Sequence, residues 1–361
     1  MKKYNVGILG ATGAVGREMM NILEERNFPI GELRLLASPR SVGKKITFKG
    51  EEIEVKLAEV GAFEGLDIVL GAASNAVAKE LAPDIVKAGA VFVDNSSAFR
   101  MCDDVPLVVP EINGEDVKKN KGIISNPNCS TIITLVAVNA INQLSKIKGM
   151  IASTYQATSG AGAGGPVELR DQESALINGG EIKSEVFAHQ IAENVIPHIG
   201  SFGENGYTTE EMKMQNEGRK ILHLPNLKVT CTCVRVPVVR SHSISVTVLT
   251  EDKLTVEQVR NAVASAKGCK LYDNGDAKEY PMPIVTSDQD LVFVGRIRED
   301  LVFDNAITLW CCGDQVRKGT VRSSACPYFI RKIMANFRLS ALKYPYISAF
   351  SAPKFSHNFL A

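Results

Sequence analysis

The stretch Val6-Gly7-Ile8-Leu9-Gly10-Ala11-Thr12-Gly13-Ala14-Val15-Gly16 decides the fold. Val6 to Leu9 reads as a buried strand and Val15 to Asn27 as a helix, with Gly10, Gly13 and Gly16 at the junction. Glycine at such a turn permits a tight reversal and lets backbone N–H groups and the helix N-terminus approach a diphosphate. The spacing is Gly-x-x-Gly-x-x-Gly and not Gly-x-Gly-x-x-Gly, so a plain strand-to-helix turn is the competing reading. Leu33 to Ala37, Asp67 to Ala72 and Val91 to Val93 read as further strands, and Asn75 to Ala88 as a helix with Pro83 as a candidate break. Ile46 to Phe48 and Glu52 to Val55 flank Lys49-Gly50-Glu51 and read as a hairpin. Strands alternating with helices indicate βαβ units, an α/β fold and a mostly parallel sheet.

After Ser125 the texture changes. Asn126-Pro127-Asn128 is a turn signal, and Ser130 to Leu144 reads as a long, mostly apolar helix. Longer β-rich runs follow at Gly149 to Thr158, Lys228 to Val238 and Ser243 to Thr250, with helical Glu168 to Ile177 and Val256 to Ala266 among them. This is the pattern of a second, α+β domain.

The chain has 361 residues, 45% hydrophobic and 22% charged, as expected of a globular protein with two cores. Its 41 Lys and Arg against 40 Asp and Glu leave +1, which gives no support for a nucleic-acid or membrane-surface protein. That total is a cancellation: residues 1–314 carry −7, and the last 47 residues hold eight basic side chains and no acid. Eight cysteines at irregular spacing argue against a disulfide framework and for a cytoplasmic protein. No run of about 18 apolar residues is present.

Cofactor choice is read at the end of the second strand, where an acidic residue would hold the ribose 2′-hydroxyl of NAD. Ser38-Pro39-Arg40-Ser41 and Lys44-Lys45 stand there instead. Arg40 and Ser41 suit a 2′-phosphate, which favours NADP; the alternative is a basic loop that merely faces water.

Asn126-Pro127-Asn128-Cys129-Ser130-Thr131 places a cysteine where a loop becomes a helix. A helix N-terminus stabilises thiolate, so Cys129 is expected to have a lowered pKa and to act as nucleophile. Cys231 and Cys233 lie two apart on one strand face, and Cys311-Cys312 follow Trp310 in another β-like run; these read as core residues, and no metal site is expected. Of His189, His198, His223, His242 and His357, only His242 has chemistry nearby: Arg235 and His242 read as lying on one β-rich element.

Five motifs in order resemble the aspartate-semialdehyde dehydrogenase family from Tyr4 to about Lys318. They are Gly-Ala-Thr-Gly-Ala-Val-Gly at 10–16, Asn-Pro-Asn-Cys-Ser-Thr at 126–131, Ser-Thr-Tyr-Gln-Ala-Thr-Ser-Gly at 153–160, Glu-Glu-Met-Lys at 210–213, and Arg-Val-Pro-Val at 235–238 leading to His242-Ser243. The resemblance implies a glyceraldehyde-3-phosphate dehydrogenase-like architecture. It consists of a Rossmann-type NADP domain at 1–127, an α+β catalytic and dimerisation domain at 128–313, and a C-terminal segment at 314–361 that returns to the NADP domain. It implies reduction of L-4-aspartyl phosphate to L-aspartate 4-semialdehyde with release of phosphate, in lysine, diaminopimelate, methionine and threonine biosynthesis, by a homodimer or homotetramer.

In that family's terms Cys129 forms a thioester, His242 is the general acid/base, Gln156 orients the substrate and Asn128 is an oxyanion donor. Arg235 binds the α-carboxylate and Glu210 the ammonium; Arg100 and Lys213 bind the phosphoryl group. Gly10, Thr12, Gly13, Ala14, Val15, Arg40, Ser41, Ser159, Gly160 and Gln315 contact NADP. The rival readings are N-acetyl-glutamyl-phosphate reductase and a non-catalytic or C-terminally damaged homologue. Asn128, Glu210 and the 235–242 spacing favour the aspartyl substrate.

The resemblance stops after Arg317-Lys318-Gly319. Pro327 would interrupt a helix begun near Gly319, and Arg331 to Leu342 reads as a short helix before Tyr344-Pro345-Tyr346. Two readings account for the acid-free tail: a reading-frame change near Lys318, or a basic C-terminal extension.

Overall fold

The computed structural model describes residues 2–321; the expectations for Pro327, the 331–342 helix and His357 fall outside them. Among the described residues thirteen strands form two sheets. The first contains β1 (Tyr4–Leu9), β2 (Ile30–Ala37), β3 (Lys45–Phe48), β4 (Glu51–Leu57), β5 (Ile68–Gly71), β6 (Val91–Asp94) and β7 (Ile123–Ser125), in the order β3-β4-β2-β1-β5-β6-β7. All pairs are parallel except β3–β4, the expected hairpin, which closes on Lys49 and Gly50, both at positive φ. Helices α1 (Ala14–Glu25) and α2 (Asn75–Lys87) flank this sheet, and the short α3 (Pro110–Asn113) precedes β7. The core has two faces: Val6 and Ile8 pack with Met19, Ile22 and Leu23, while Leu9 and Leu36 pack with Leu81, Ile85 and Phe92.

The glycine turn lies at the C-terminal end of β1, where the chain passes to β2 on one side and β5 on the other; this crevice is where open α/β sheets bind ligands. Two of its glycines are sterically required. Gly10 has φ +87°, and a Cβ there would lie 2.5 Å from the Ala72 carbonyl oxygen; a Cβ on Gly16 would lie 2.4 Å from that of Gly10. At Gly13, the N-cap of α1, a Cβ would meet only the Gly10 oxygen, at 3.4 Å.

Pro83 does not break α2. It sits on the exposed face, four residues after exposed Lys79, so the carbonyl that loses its helical donor faces water.

The second sheet contains β8 (Ile147–Gln156), β9 (Lys228–Arg235), β10 (His242–Thr250), β11 (Cys269–Leu271), β12 (Val292–Glu299) and β13 (Ala306–Gly313), in the order β11-β12-β13-β10-β8-β9. It is mixed: β8–β9 and β11–β12 are parallel, the other pairs antiparallel. The remaining helices are α4 (Cys129–Asn142), α5 (Gly164–Asn178), α6 (Thr209–Ile221), α7 (Val256–Ser265) and α8 (Pro283–Thr286). Helix α4 lies between the sheet and helices α6 and α7, with Ile132 to Val138 all buried. Its apolar residues run all round because every face is covered. A helix so enclosed holds its N-terminus in a fixed place.

One expectation is corrected here. Arg235 and His242 are not on one element: Arg235 ends β9, His242 begins β10, and β8 runs between them. The residues from 236 to 241, with Pro237 among them and Ser241 at φ +74°, separate the two strands. The outcome still gathers three side chains, because Gln156 ends β8 directly beside Arg235 in register.

Candidate active site

Three strand ends and one helix N-terminus converge. Cys129 is the first residue of α4, capped by Asn128, whose Oδ1 accepts from the Thr131 N–H at 3.1 Å. Cys129 Sγ lies 3.5 Å from His242 Nε2. The Ala157 N–H donates to His242 Nδ1 at 3.0 Å, so the neutral ring carries its proton on Nε2, toward the sulfur.

The expected lowering of the Cys129 pKa is not what the site shows. Burial, with the Glu210 carboxylate behind it, pushes the thiol up to about 11. Burial and then Arg235 bring His242 down to about 3. Near neutral pH the pair is an uncharged thiol beside an uncharged imidazole.

Around this pair the charges are ordered. Glu210, on the first turn of α6, accepts from Asn128 Nδ2 at 2.9 Å and Gln156 Nε2 at 3.3 Å, and pairs with Lys213 at 2.8 Å. Burial alone would raise its carboxyl, but the Lys213 ammonium and these donors hold it below the usual range. Arg235 donates to the Ala157 carbonyl oxygen at 2.7 Å and stacks over the Phe187 ring. Arg100 pairs with Glu217 at 3.0 Å and donates to the Asn95 carbonyl oxygen at 2.8 Å. It opens on a cavity of about 270 Å³ lined also by Ser97, Thr209, Lys213 and Asn216.

Asn128, expected as an oxyanion donor, also holds the site together. Its N–H donates to Glu217 at 2.7 Å and its Nδ2 to Glu210, so it ties the helix start to α6.

The residues expected to contact the cofactor fall in two groups. Gly10, Thr12, Gly13, Ala14 and Val15 line the β1–α1 turn, and Thr12 Oγ1 is 3.3 Å from Ser41 Oγ in the Pro39–Ser41 turn, with Arg40 exposed beside it. Ser159, Gly160 and Gln315 lie at the catalytic end. Gln315 Nε2 donates to Ser159 Oγ at 2.5 Å, and its Oε1 accepts from the Ser241 N–H at 2.8 Å. A Cβ on Gly160 would come within 2.8 Å of Arg235 Nη1 and 3.0 Å of His242 Cε1, so this loop closes directly over Arg235 and His242.

Two contributors were not found in the sequence. Glu217 is 2% exposed and joins Arg100 to Asn128; its spacing of seven from Glu210 on one helix face was the available signal. Gly319 packs on Cys129, where a Cβ would lie 2.4 Å from that of the cysteine, and its carbonyl oxygen accepts from Asn126 Nδ2 at 2.8 Å. Cys231 and Cys233 share a buried strand face with their sulfurs 3.7 Å apart.

A model described as "Semialdehyde dehydrogenase, NAD binding domain" matches residues 5–120, and one described as "Semialdehyde dehydrogenase, dimerisation domain" matches 138–318. The aspartate-semialdehyde dehydrogenase of Aquifex aeolicus is 51% identical over 89% of this chain and 96% of its own length. That of Synechocystis is 47% identical over 87% and 93%. Among solved structures, aspartate semialdehyde dehydrogenase II of Vibrio cholerae, complexed with ASA, superposes with a TM-score of 0.87 at 39% identity, covering 96% of this chain and all of that one. The Candida albicans enzyme with NADP gives 0.71 at 25% identity, covering 94% and 100%.

Proposed function

This chain belongs to the aspartate-semialdehyde dehydrogenase family, and from that premise we propose that it reduces L-4-aspartyl phosphate to L-aspartate 4-semialdehyde with NADPH, releasing phosphate. The observation that carries the reading is the Cys129–His242 pair at 3.5 Å, set among Glu210, Arg235, Arg100 and Lys213. That arrangement matches a substrate with a carboxylate, an ammonium and a phosphoryl group. Arg235 receives the α-carboxylate and Glu210 the α-ammonium, which favours a free amine over an acylated one. Arg100 and Lys213 receive the phosphoryl group.

Cys129 gives up its proton, which leaves on the departing phosphate, and attacks the acyl carbon; the C–S bond forms as the C–O bond to phosphate breaks, giving a thioester. NADPH supplies a hydride to the thioester carbon. The His242 Nε2–H then stabilises the tetrahedral oxyanion, which collapses to aldehyde and returns the thiolate. Gln156, bound to Glu210, orients the substrate.

The cofactor fits the residues present. The β1–α1 turn leaves room over Gly13 for a diphosphate, and no carboxylate stands at the end of β2 to exclude a 2′-phosphate from Arg40 and Ser41. The division near residues 127 and 313 belongs to the same reading. So does a cytoplasmic setting, which the free thiols of the described cysteines support. So does pairing of two copies through the second sheet, whose uncovered face exposes Ile151 and Tyr155, the latter against Trp310; a monomer in sedimentation would refute that pairing.

An assay following NADP reduction with aspartate semialdehyde and phosphate tests the function. Cys129→Ala is expected to abolish turnover and iodoacetamide labelling at that site with the fold retained. Near-wild-type activity in that variant would sink the mechanism, and equal efficiency with NAD would sink the reading of Arg40 and Ser41.

A further inference from the structure

Helix α6 presents four charged residues at offsets of three, four and three: Glu210, Lys213, Glu217 and Lys220. This spacing follows one face of a helix, and the face runs along the site. The first two rungs are the substrate-facing pair above. The other two converge on Arg100. Lys220 Nζ donates to the backbone oxygens of Arg100 at 2.9 Å, Cys102 at 2.7 Å and Val105 at 2.8 Å, so the loop that carries Arg100 is tied to α6. Glu217 grips the side chain itself: Oε1 accepts from Arg100 Nη1 at 3.0 Å while Oε2 accepts from the Asn128 N–H at 2.7 Å.

The guanidinium is thereby fixed along one edge. Glu217 and the Asn95 carbonyl oxygen take one proton from each terminal nitrogen, and Nε is buried with no hydrogen-bond partner among the described residues. Arg100 keeps an unspent N–H, and it lines one cavity together with Lys213, where an incoming anion would meet both cations. The same carboxylate that orients this donor also holds the residue before Cys129, at the N-terminus of the nucleophile helix.

We propose that Glu217 is a positioning residue for the phosphate step: it sets the orientation of Arg100 and fixes that guanidinium relative to Cys129. The inference rests on the phosphate subsite proposed above. Glu217 touches neither the sulfur nor, in this role, the substrate; it acts through its two partners. Its position is specific: one turn to either side on α6 stand Lys213, at the cavity, and Lys220, bound to the 100–105 loop.

Glu217→Gln separates the two grips. The amide oxygen still accepts from the Asn128 N–H, while the amide nitrogen turns a donor toward Arg100. The KM for phosphate is expected to rise tenfold or more, with the KM values for aspartate semialdehyde and NADP, and the rate of Cys129 alkylation, within twofold of wild type. Calorimetric titration with inorganic phosphate makes the same comparison without turnover, so loss of the functional reading and loss of this inference are separable. A phosphate affinity unchanged or tighter in Glu217→Gln would overturn the proposal and make Glu217 a mere competitor for Arg100. All three KM values worsening alike would overturn it in favour of plain packing. Should Glu217→Gln fold poorly with Arg100 left uncompensated, the pair Arg100→Ala and Arg100→Ala/Glu217→Gln decides, since the double variant buries no lone charge. The second substitution is expected to add less than twofold to the phosphate loss of the first, and an independent further loss would refute action through Arg100.

Discussion

Burial and the Glu210 carboxylate hold the Cys129 thiol up at about 11, and burial with Arg235 holds His242 down at about 3, so in the free site this pair rests uncharged. Near neutral pH little thiolate then forms unless one of these influences is offset. Under the proposed function, an α-ammonium group beside Glu210 would weaken the carboxylate's part in disfavouring the thiolate, so substrate binding would favour ionisation of Cys129. The consequence is measurable with iodoacetamide. Alkylation of Cys129 in the free enzyme is expected to keep rising with pH beyond 9, since more of a raised thiol ionises only at higher pH. Glu210→Gln removes a negative neighbour and is expected to move that inflection down; an unchanged or higher inflection would disprove the coupling. The sequence places Cys129 at a helix start, and that much is legible from Asn126-Pro127-Asn128. The direction of its pKa is not, because the helix terminus is local while the burial comes from packing against β10 and α6. Glu217 escapes the sequence reading for a related reason: a carboxylate on an amphipathic helix looks solvated until the fold places Arg100 opposite it.

At the scale of elements, hydrophobic periodicity and turn chemistry located β1, α1, the β3–β4 hairpin, α4 and β8 to within a few residues. It went astray where tertiary context decides. Pro83 is tolerated because its face of α2 is wet, and Arg235 and His242 fall on different strands because residues 236–241 carry the chain past β8. The glycine turn illustrates how function and fold divide within one element. Gly16 is demanded by packing, since a Cβ there would lie 2.4 Å from the Gly10 oxygen and 2.8 Å from the Ala11 Cα. Gly13 has extended φ and ψ of −75° and 166°, which any residue adopts, and a Cβ would meet only one atom within 4 Å. Its missing side chain therefore serves a ligand approaching the helix N-terminus. Gly16→Ala is expected to cost about 1–3 kcal/mol of stability, as overpacking does. Gly13→Ala should unfold within about 1 kcal/mol of wild type while its KM for NADP rises at least fivefold. Thermal denaturation and kinetics separate the two. Equal losses of stability would show that Gly13 is as structural as Gly16.

At the scale of the molecule, the chain after β13 closes the two halves together. Asp314 accepts from the N–H groups of Val316 and Arg317 and from Arg240, two residues before His242. Arg317 then reaches across to α1, pairing with Glu18 at 3.3 Å and Glu25 at 2.6 Å, and to Asp290 at 3.0 Å. Lys318 is fully buried against Glu111, and Gly319 lies on Cys129. Two of the eight basic residues beyond Asp314 are thus committed to carboxylates of the acidic body, and the last stretch that resembles the family, Arg317-Lys318-Gly319, joins α1 to Cys129. Helix α1, which begins at Gly13, is held by this network at Glu18 and Glu25. Loss of Arg317 should therefore be felt both in stability and at the cofactor. Arg317→Ala is expected to lower the thermal midpoint by several degrees and to raise the KM for NADP, with the KM for phosphate unchanged. The sign of its pH dependence follows from Glu25, whose carboxyl the Arg317 hydrogen bond holds below the usual range. Such a contribution is complete above the ordinary carboxylate pKa of about 4.3 and is lost as pH falls through the lowered value. Wild type and Arg317→Ala should then converge in thermal midpoint on acidification and differ fully at neutral pH. A gap that stayed constant down to pH 3, or an unaltered KM for NADP, would show that Arg317 fills space without fastening α1 to the catalytic half.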